Sequence, residues 1–132
     1  MIILDTSAVK ALAAGHKALS LLAGNMARTP GDQLTVPALC LMQAEADDEG
    51  AARRVLSLSS VLVDDLDTVA SVTVGTMVRD GYGGPDICHA LYCALPRAEF
   101  ASMSILLTGT EDSYPPGIVT IDIETPGMLG FH

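Results

Sequence analysis

The stretch Met1-Ile2-Ile3-Leu4-Asp5-Thr6-Ser7-Ala8 decides the fold. Four apolar residues stop abruptly at a carboxylate and two hydroxyls, after which Ala8 to Ala23 repeat apolar residues at helical spacing. A buried strand therefore feeds a helix, with Asp5 to Ser7 at the junction. Thr6 or Ser7 can cap that helix, and so can Asp5.

The same alternation continues along the chain. Asn25 to Gln33 read as a loop, Leu34 to Ala38 as a second short strand, and Leu41 to Leu56 as helix, with Gly50 able to break it in two. Ser60 to Leu66 are a third strand candidate, followed by a helix to about Arg79 that Asp67 or Thr68 can cap. After the loop Gly81-Tyr82-Gly83-Gly84-Pro85, a helix with Pro85 in its first turn runs to about Leu95 and is closed by Pro96. Met103 to Leu107 and Ile118 to Ile123 supply two further strands around a polar loop at Thr108 to Gly117. Strands that alternate with helices predict a three-layer α/β/α domain with a mainly parallel central sheet of about five strands. One domain is expected over residues 1–132.

Composition narrows the function classes. A 132-residue chain with 49% hydrophobic content can bury an ordinary core without staples. Its apolar runs are broken well before the roughly 20 residues of a membrane helix, and no basic segment precedes the first apolar run, so a cytoplasmic protein is expected. Cys40, Cys88 and Cys93 are odd in number and match no common zinc spacing, which points to buried, reduced thiols. Seven Lys and Arg against sixteen acids give a net charge of −9. Such a surface disfavours broad DNA binding and favours a basic partner or a bound cation.

In open parallel sheets ligands bind at the carboxyl ends of the strands. Asp5 and the loop from Thr108 to Asp112 both follow apolar strands, and Asp86 lies in the first turn of the helix after the glycine-rich loop. Carboxylates gathered at one edge repel by about 4 kcal/mol per pair at about 4 Å and an effective dielectric near 20. A divalent cation relieves that repulsion, and magnesium can do so with one or two carboxylates while keeping waters and substrate phosphate. Each acid also has a plainer role, since Asp5 and Asp86 could simply stabilise helix N-termini. His89, one turn after Asp86, shares its face and reads as a structural histidine, a proton carrier or a ligand. Tyr92, Met77 and Met103 read as packing or partner-surface residues.

At these residues the chain resembles the PIN-domain family. Ile2-Ile3-Leu4-Asp5-Thr6-Ser7-Ala8 is similar to that family's opening, and Pro85-Asp86-Ile87-Cys88-His89-Ala90-Leu91-Tyr92 resembles its later acidic helix. Leu106-Leu107-Thr108 and Ile118-Val119-Thr120-Ile121 are similar to its closing strands. The resemblance implies a ribonuclease dependent on Mg²⁺ or Mn²⁺, most often the toxin of a bacterial toxin-antitoxin pair, with acids from distant segments binding the metal. It implies an antitoxin with a basic segment as partner, RNA as substrate and a homodimer as the common assembly.

Asp5 and Asp86 match two of the family's acidic positions and are the implied catalytic and metal-binding residues. The other two positions differ. Gln43 stands where the family carries a glutamate, and Glu45 falls two residues later, about 200° around a helix. Thr108-Gly109-Thr110 replaces Thr-x-Asp, with Glu111 and Asp112 following it. Glu45 and Asp112 are therefore the substitute ligand candidates, and Thr6 and Thr108 the substrate-binding ones. Lys10, Lys17, Arg53 and Arg54 are the available basic residues for RNA.

Gln43 and Thr110 also favour an alternative, a catalytically degenerate PIN-like domain that serves as a binding or assembly module. A phosphohydrolase with Asp5 as nucleophile would need a second acid where Ser7 stands. A receiver domain would need an acidic pair near the first strand and a later lysine, and no lysine follows Lys17.

Overall fold

Five short strands form one parallel sheet in the order β3-β2-β1-β4-β5. They are β1 (Ile2–Leu4), β2 (Leu34–Pro37), β3 (Val61–Asp64), β4 (Ile105–Thr108) and β5 (Thr120–Asp122). The computed structural model describes residues 1–95 and 104–125. Met103, Pro96 and the chain end at residues 126–132 lie outside that description, and with them the expectations attached to those residues.

Alternation along β1 and β4 sorts their side chains between two cores. Leu4 and its neighbour Leu107 are fully buried with residues of α1 (Thr6–Ala13), α2 (Lys17–Arg28) and α4 (Ala51–Leu56). Ile3 and its neighbour Leu106 point the other way, against Ala90, Leu91 and Ala94 of α6 (Pro85–Ala94). Helix α3 (Ala38–Asp47) contributes to both clusters through Ala44 and Cys40, and α5 (Thr68–Arg79) packs on α6. A sheet buried on both faces needs continuous apolar strands, as Ile105-Leu106-Leu107 supplies. The predicted three-layer arrangement is the one observed.

Several boundaries follow local chemistry. Asp67 caps α5 by accepting from the backbone N–H of Ala70 at 2.8 Å, and Pro85 occupies the first turn of α6. Gly50 does divide the second helical stretch, adopting φ +87° between α3 and α4. A side chain there would be strained by the backbone and would meet the Arg54 guanidinium at 3.1 Å.

One expectation is corrected: Ala8 to Ala23 is not a single helix. Gly15 turns left-handed at φ +90°, and the His16 Nδ1 caps α2 by accepting from the Leu19 N–H at 3.3 Å. Helix α2 then runs through Arg28, past the expected loop start at Asn25, with Met26 in its last turns packed against the first core cluster. The expected strand from Ile118 is shorter as well, pairing over Thr120–Asp122.

The three cysteines are buried thiols that are not joined in disulfides, as composition suggested. Burial pushes the Cys40 thiol well above its ordinary range, and Asp5 and Asp86 add to the effect. Tyr92 and Met77 pack against the second cluster. No helix among the described residues is long and apolar enough to cross a membrane.

Candidate functional site

The chain leaves β1 toward β2 on one side and later returns as β4 on the other, so the carboxyl edge between β1 and β4 is the sheet's topological switch point. Asp5 ends β1 there and Thr108 ends β4.

Asp5 is 0% exposed, and each of its oxygens accepts two hydrogen bonds. Its Oδ1 accepts from the Ser7 hydroxyl at 2.6 Å and from the Ala8 backbone N–H at 3.0 Å. Its Oδ2 accepts from the Thr108 hydroxyl at 2.5 Å and the Tyr114 hydroxyl at 2.7 Å. The bond from Ala8 makes Asp5 the N-cap of α1, a place the sequence offered equally to Thr6 and Ser7. Those neighbours are used otherwise: Ser7 Oγ also accepts from the Gly109 N–H at 2.8 Å, which ties the junction after β1 to the loop after β4. Thr6 donates to Asp86 Oδ2 at 2.5 Å and links the two acids.

Asp86 is half-buried at the start of α6, reached from Gly84 in an extended conformation. Its backbone carbonyl accepts from the Cys40 thiol at 3.2 Å, so α3 and α6 are held together beneath the site. His89 is fully buried and its Nδ1 accepts from the Leu39 N–H at 3.2 Å. Helix α3 has no side-chain cap at Pro37, so this histidine satisfies one of its otherwise unbonded N–H groups from another helix. That is the structural reading of His89.

The remaining candidates do not join Asp5 and Asp86 in one cluster. Glu45 points its carboxylate at the start of α4, accepting from the Gly50 N–H at 2.9 Å and the Ala52 N–H at 3.0 Å. Two residues beyond Gln43 on α3, it lies too far around the helix to replace it, as the periodicity warned. The Glu45 carboxylate thus caps the start of α4 and is not grouped with Asp5 and Asp86. Gln43 donates to Asp47 Oδ1 at 2.8 Å, and Asp47 Oδ2 faces Lys10 Nζ at 3.3 Å. Asp112 is exposed on a 3-10 turn at Glu111–Ser113, and Thr110 donates its N–H to the Thr108 hydroxyl at 2.9 Å. Of the basic candidates, Arg54 is held by Asp48 and by the Ala13 carbonyl, while Lys17 and Arg53 are exposed.

Glu45 carries a pH prediction. The N–H groups of Gly50 and Ala52 hold its carboxyl below the usual carboxylate range. A depressed folded value means that the carboxylate stabilises the fold fully above its ordinary value near 4.5 and loses that contribution as pH falls through the folded value. The urea midpoints of Glu45→Gln and the parent should therefore differ at pH 7, and the gap should shrink as pH falls below the ordinary carboxylate range. A gap that does not change as the protein is acidified would contradict the capping role.

Tyr114 was missed by sequence reasoning. It lies 109 residues from Asp5, in a polar stretch where a tyrosine reads as surface, yet only 9% of it is exposed. Burial first, and then the Asp5 carboxylate, hold its phenol far above the ordinary tyrosine range, so it stays a proton donor.

The oxygen donors at this edge, two carboxylates with Thr6 and Thr108, suit a hard divalent cation that keeps waters. Asp5 and Asp86 would be its protein ligands. Among the described residues no group of three or more His, Cys, Asp or Glu is placed to hold a metal. A cation there would have two carboxylates from the described residues, Asp5 and Asp86, and would need its other ligands from solvent or substrate.

No family model matches the sequence, and no curated protein matches it. Among solved structures, the fold is similar to a chain of DNA-bound VapBC from Salmonella typhimurium, with a TM-score of 0.61 and 20% sequence identity over 92% of this chain and 97% of that one. At that identity the likeness speaks to architecture, and it establishes a PIN-like α/β fold with a five-stranded parallel sheet.

Proposed function

We propose that this protein is a divalent-metal-dependent endoribonuclease of toxin type, working with Mg²⁺ or Mn²⁺ and controlled by an antitoxin that covers its acidic edge. The observation that carries the reading is the pairing of Asp5 and Asp86 through Thr6 at the switch point of the sheet. The likeness to a VapBC chain supports the toxin-antitoxin setting. A cytoplasmic location and a homodimer belong to the same proposal, as does a basic antitoxin segment, which the net charge of −9 would attract.

When bound, the cation supplies positive charge to a phosphodiester and acidifies an attacking water. Everything else falls to this chain's residues. Asp5 and Asp86 would hold the cation, Thr6 fixes the Asp86 carboxylate, and Ser7 with the Ala8 N–H fixes Oδ1 of Asp5. Thr108, buried at the end of β4, orients the other oxygen, and Thr6 and Thr108 would be the hydroxyls offered to an incoming phosphate. Lys17 and Arg53 are exposed cations available to the RNA backbone.

A second reading has specific support. Gln43 is engaged with Asp47, Thr110 brings no charge, and Asp5 already has four protein donors. These features suit a PIN-like domain that has lost catalysis and acts as a binding or assembly module. Incubating purified protein with structured RNA and Mn²⁺ separates the two. Cleavage that disappears in both Asp5→Asn and Asp86→Asn supports the nuclease; an inactive wild type, or activity that survives both changes, removes it.

A further inference from the structure

A carboxylate has about four acceptor positions, two on each oxygen. On Asp5 all four face protein donors: Ser7 and Ala8 on Oδ1, Thr108 and Tyr114 on Oδ2. A cation and a hydroxyl hydrogen cannot share one lone pair. Any metal at Asp5 must therefore displace one of these four groups.

The four are not equally held. The Ala8 N–H belongs to the first turn of α1, and Ser7 is braced from behind by the Gly109 N–H. Thr108 is fully buried at the end of β4, and its hydroxyl accepts from the Thr110 N–H while donating to Asp5. Tyr114 alone reaches Asp5 from outside the sheet and α1, following the 3-10 turn, with its ring against the second core cluster.

We infer that Tyr114 is a resident cap on Asp5, and that its hydroxyl competes with a divalent cation for Oδ2 and sets how tightly this edge binds metal. The inference rests on the proposed metal site. Tyr114 is a positioning residue here, acting through Asp5 and not on substrate.

Calorimetric titration of the full chain with Mn²⁺ alone tests it. Phenylalanine keeps the ring and deletes only the competing hydroxyl, and a hydrogen bond to a charged group corresponds to about 10- to 100-fold in an equilibrium. Tyr114→Phe should bind Mn²⁺ tighter than the parent by about that factor, and Asp5→Asn placed on that background should abolish the gain. In the parent, Mg²⁺ should shift the ring resonances of Tyr114 saturably, with those of exposed Tyr82 unmoved. Equal or weaker Mn²⁺ affinity in Tyr114→Phe, with binding still dependent on Asp5, overturns the cap and leaves the metal site standing. Absence of Mn²⁺ binding in parent and variant alike overturns both. If Tyr114→Phe does not fold, unmoved Tyr114 resonances at saturating Mg²⁺ overturn the cap.

Discussion

Asparagine at position 5 is expected to lose RNA cleavage by at least about a hundredfold and to cost about 2–4 kcal/mol of folding stability. The activity estimate is a lower bound, because even groups that only support a metal ligand change metal affinity or activity by about 10- to 100-fold. The stability estimate comes from the bonds at Asp5. Two hydroxyls from distant loops and strands, one nearby hydroxyl and one helix N–H converge on this carboxylate. Hydrogen bonds to a charged group contribute roughly 1.5–3 kcal/mol each, and burying that charge offsets part of the sum. The amide keeps one acceptor oxygen, and its NH₂ group confronts donors: one orientation strands the Ser7 hydroxyl and the Ala8 N–H, the other the buried Thr108 and Tyr114 hydroxyls. Cleavage kinetics with Mn²⁺ and urea denaturation measure the two effects. An Asp5→Asn variant as stable as the parent would mean that the network does not hold the junction together.

Leu107→Ala is expected to cost about 3–4 kcal/mol, within the range for deleting a buried leucine side chain. Leu107 lies on β4 with Leu4 beside it on one strand and Ile121 on the other, and it is fully buried in the larger core cluster. Its side chain is surrounded by sheet neighbours and helices that cannot readily collapse into the space. For a fold of ordinary stability, about 5–15 kcal/mol, that is a large fraction of the total. Leu21→Ala on the exposed side of α2 is the matched control, since that residue is 51% exposed, and it should shift the denaturation midpoint little. Equal losses at the two positions would contradict the assignment of the core.

The parts of this fold legible in the sequence are those where local chemistry and tertiary structure agree. Ile3-Leu4-Asp5, Asp67 and Pro85 each carry a signal that works within one turn of chain, and each appears as read. The break at Gly15 did not, because Ala13-Ala14-Gly15-His16 continues a helical pattern without a strong stop, and a lone glycine inside a helix is tolerated at about 1 kcal/mol. Glu45 was placed by family spacing, whereas its partners, the N–H groups beyond Gly50, depend on how the chain bends there.

The site was legible as a place and not as a network. Asp5 and Asp86 were named, and the structure joins them through Thr6, a link spanning 80 residues. Ser7 reads as a cap but serves as a brace between Asp5 and Gly109, because capping falls to the carboxylate two residues earlier. Tyr114 carried no local signal, and only the packing of its loop over β4 reveals the hydroxyl at Asp5. Long-range hydrogen bonds of this kind are set by which loops meet at a sheet edge, and no periodicity reports them.

In the proposed nuclease, Asp5 and Asp86 hold one divalent cation between them. Anomalous diffraction from crystals of the full chain soaked in Mn²⁺ tests this directly. The predicted result is one strong peak within about 2.0–2.3 Å of an oxygen of each carboxylate, bond lengths expected for a small divalent ion on oxygen, with the Tyr114 hydroxyl moved off Oδ2. A map with no peak at this edge, at a manganese concentration that saturates other oxygen sites, would contradict it.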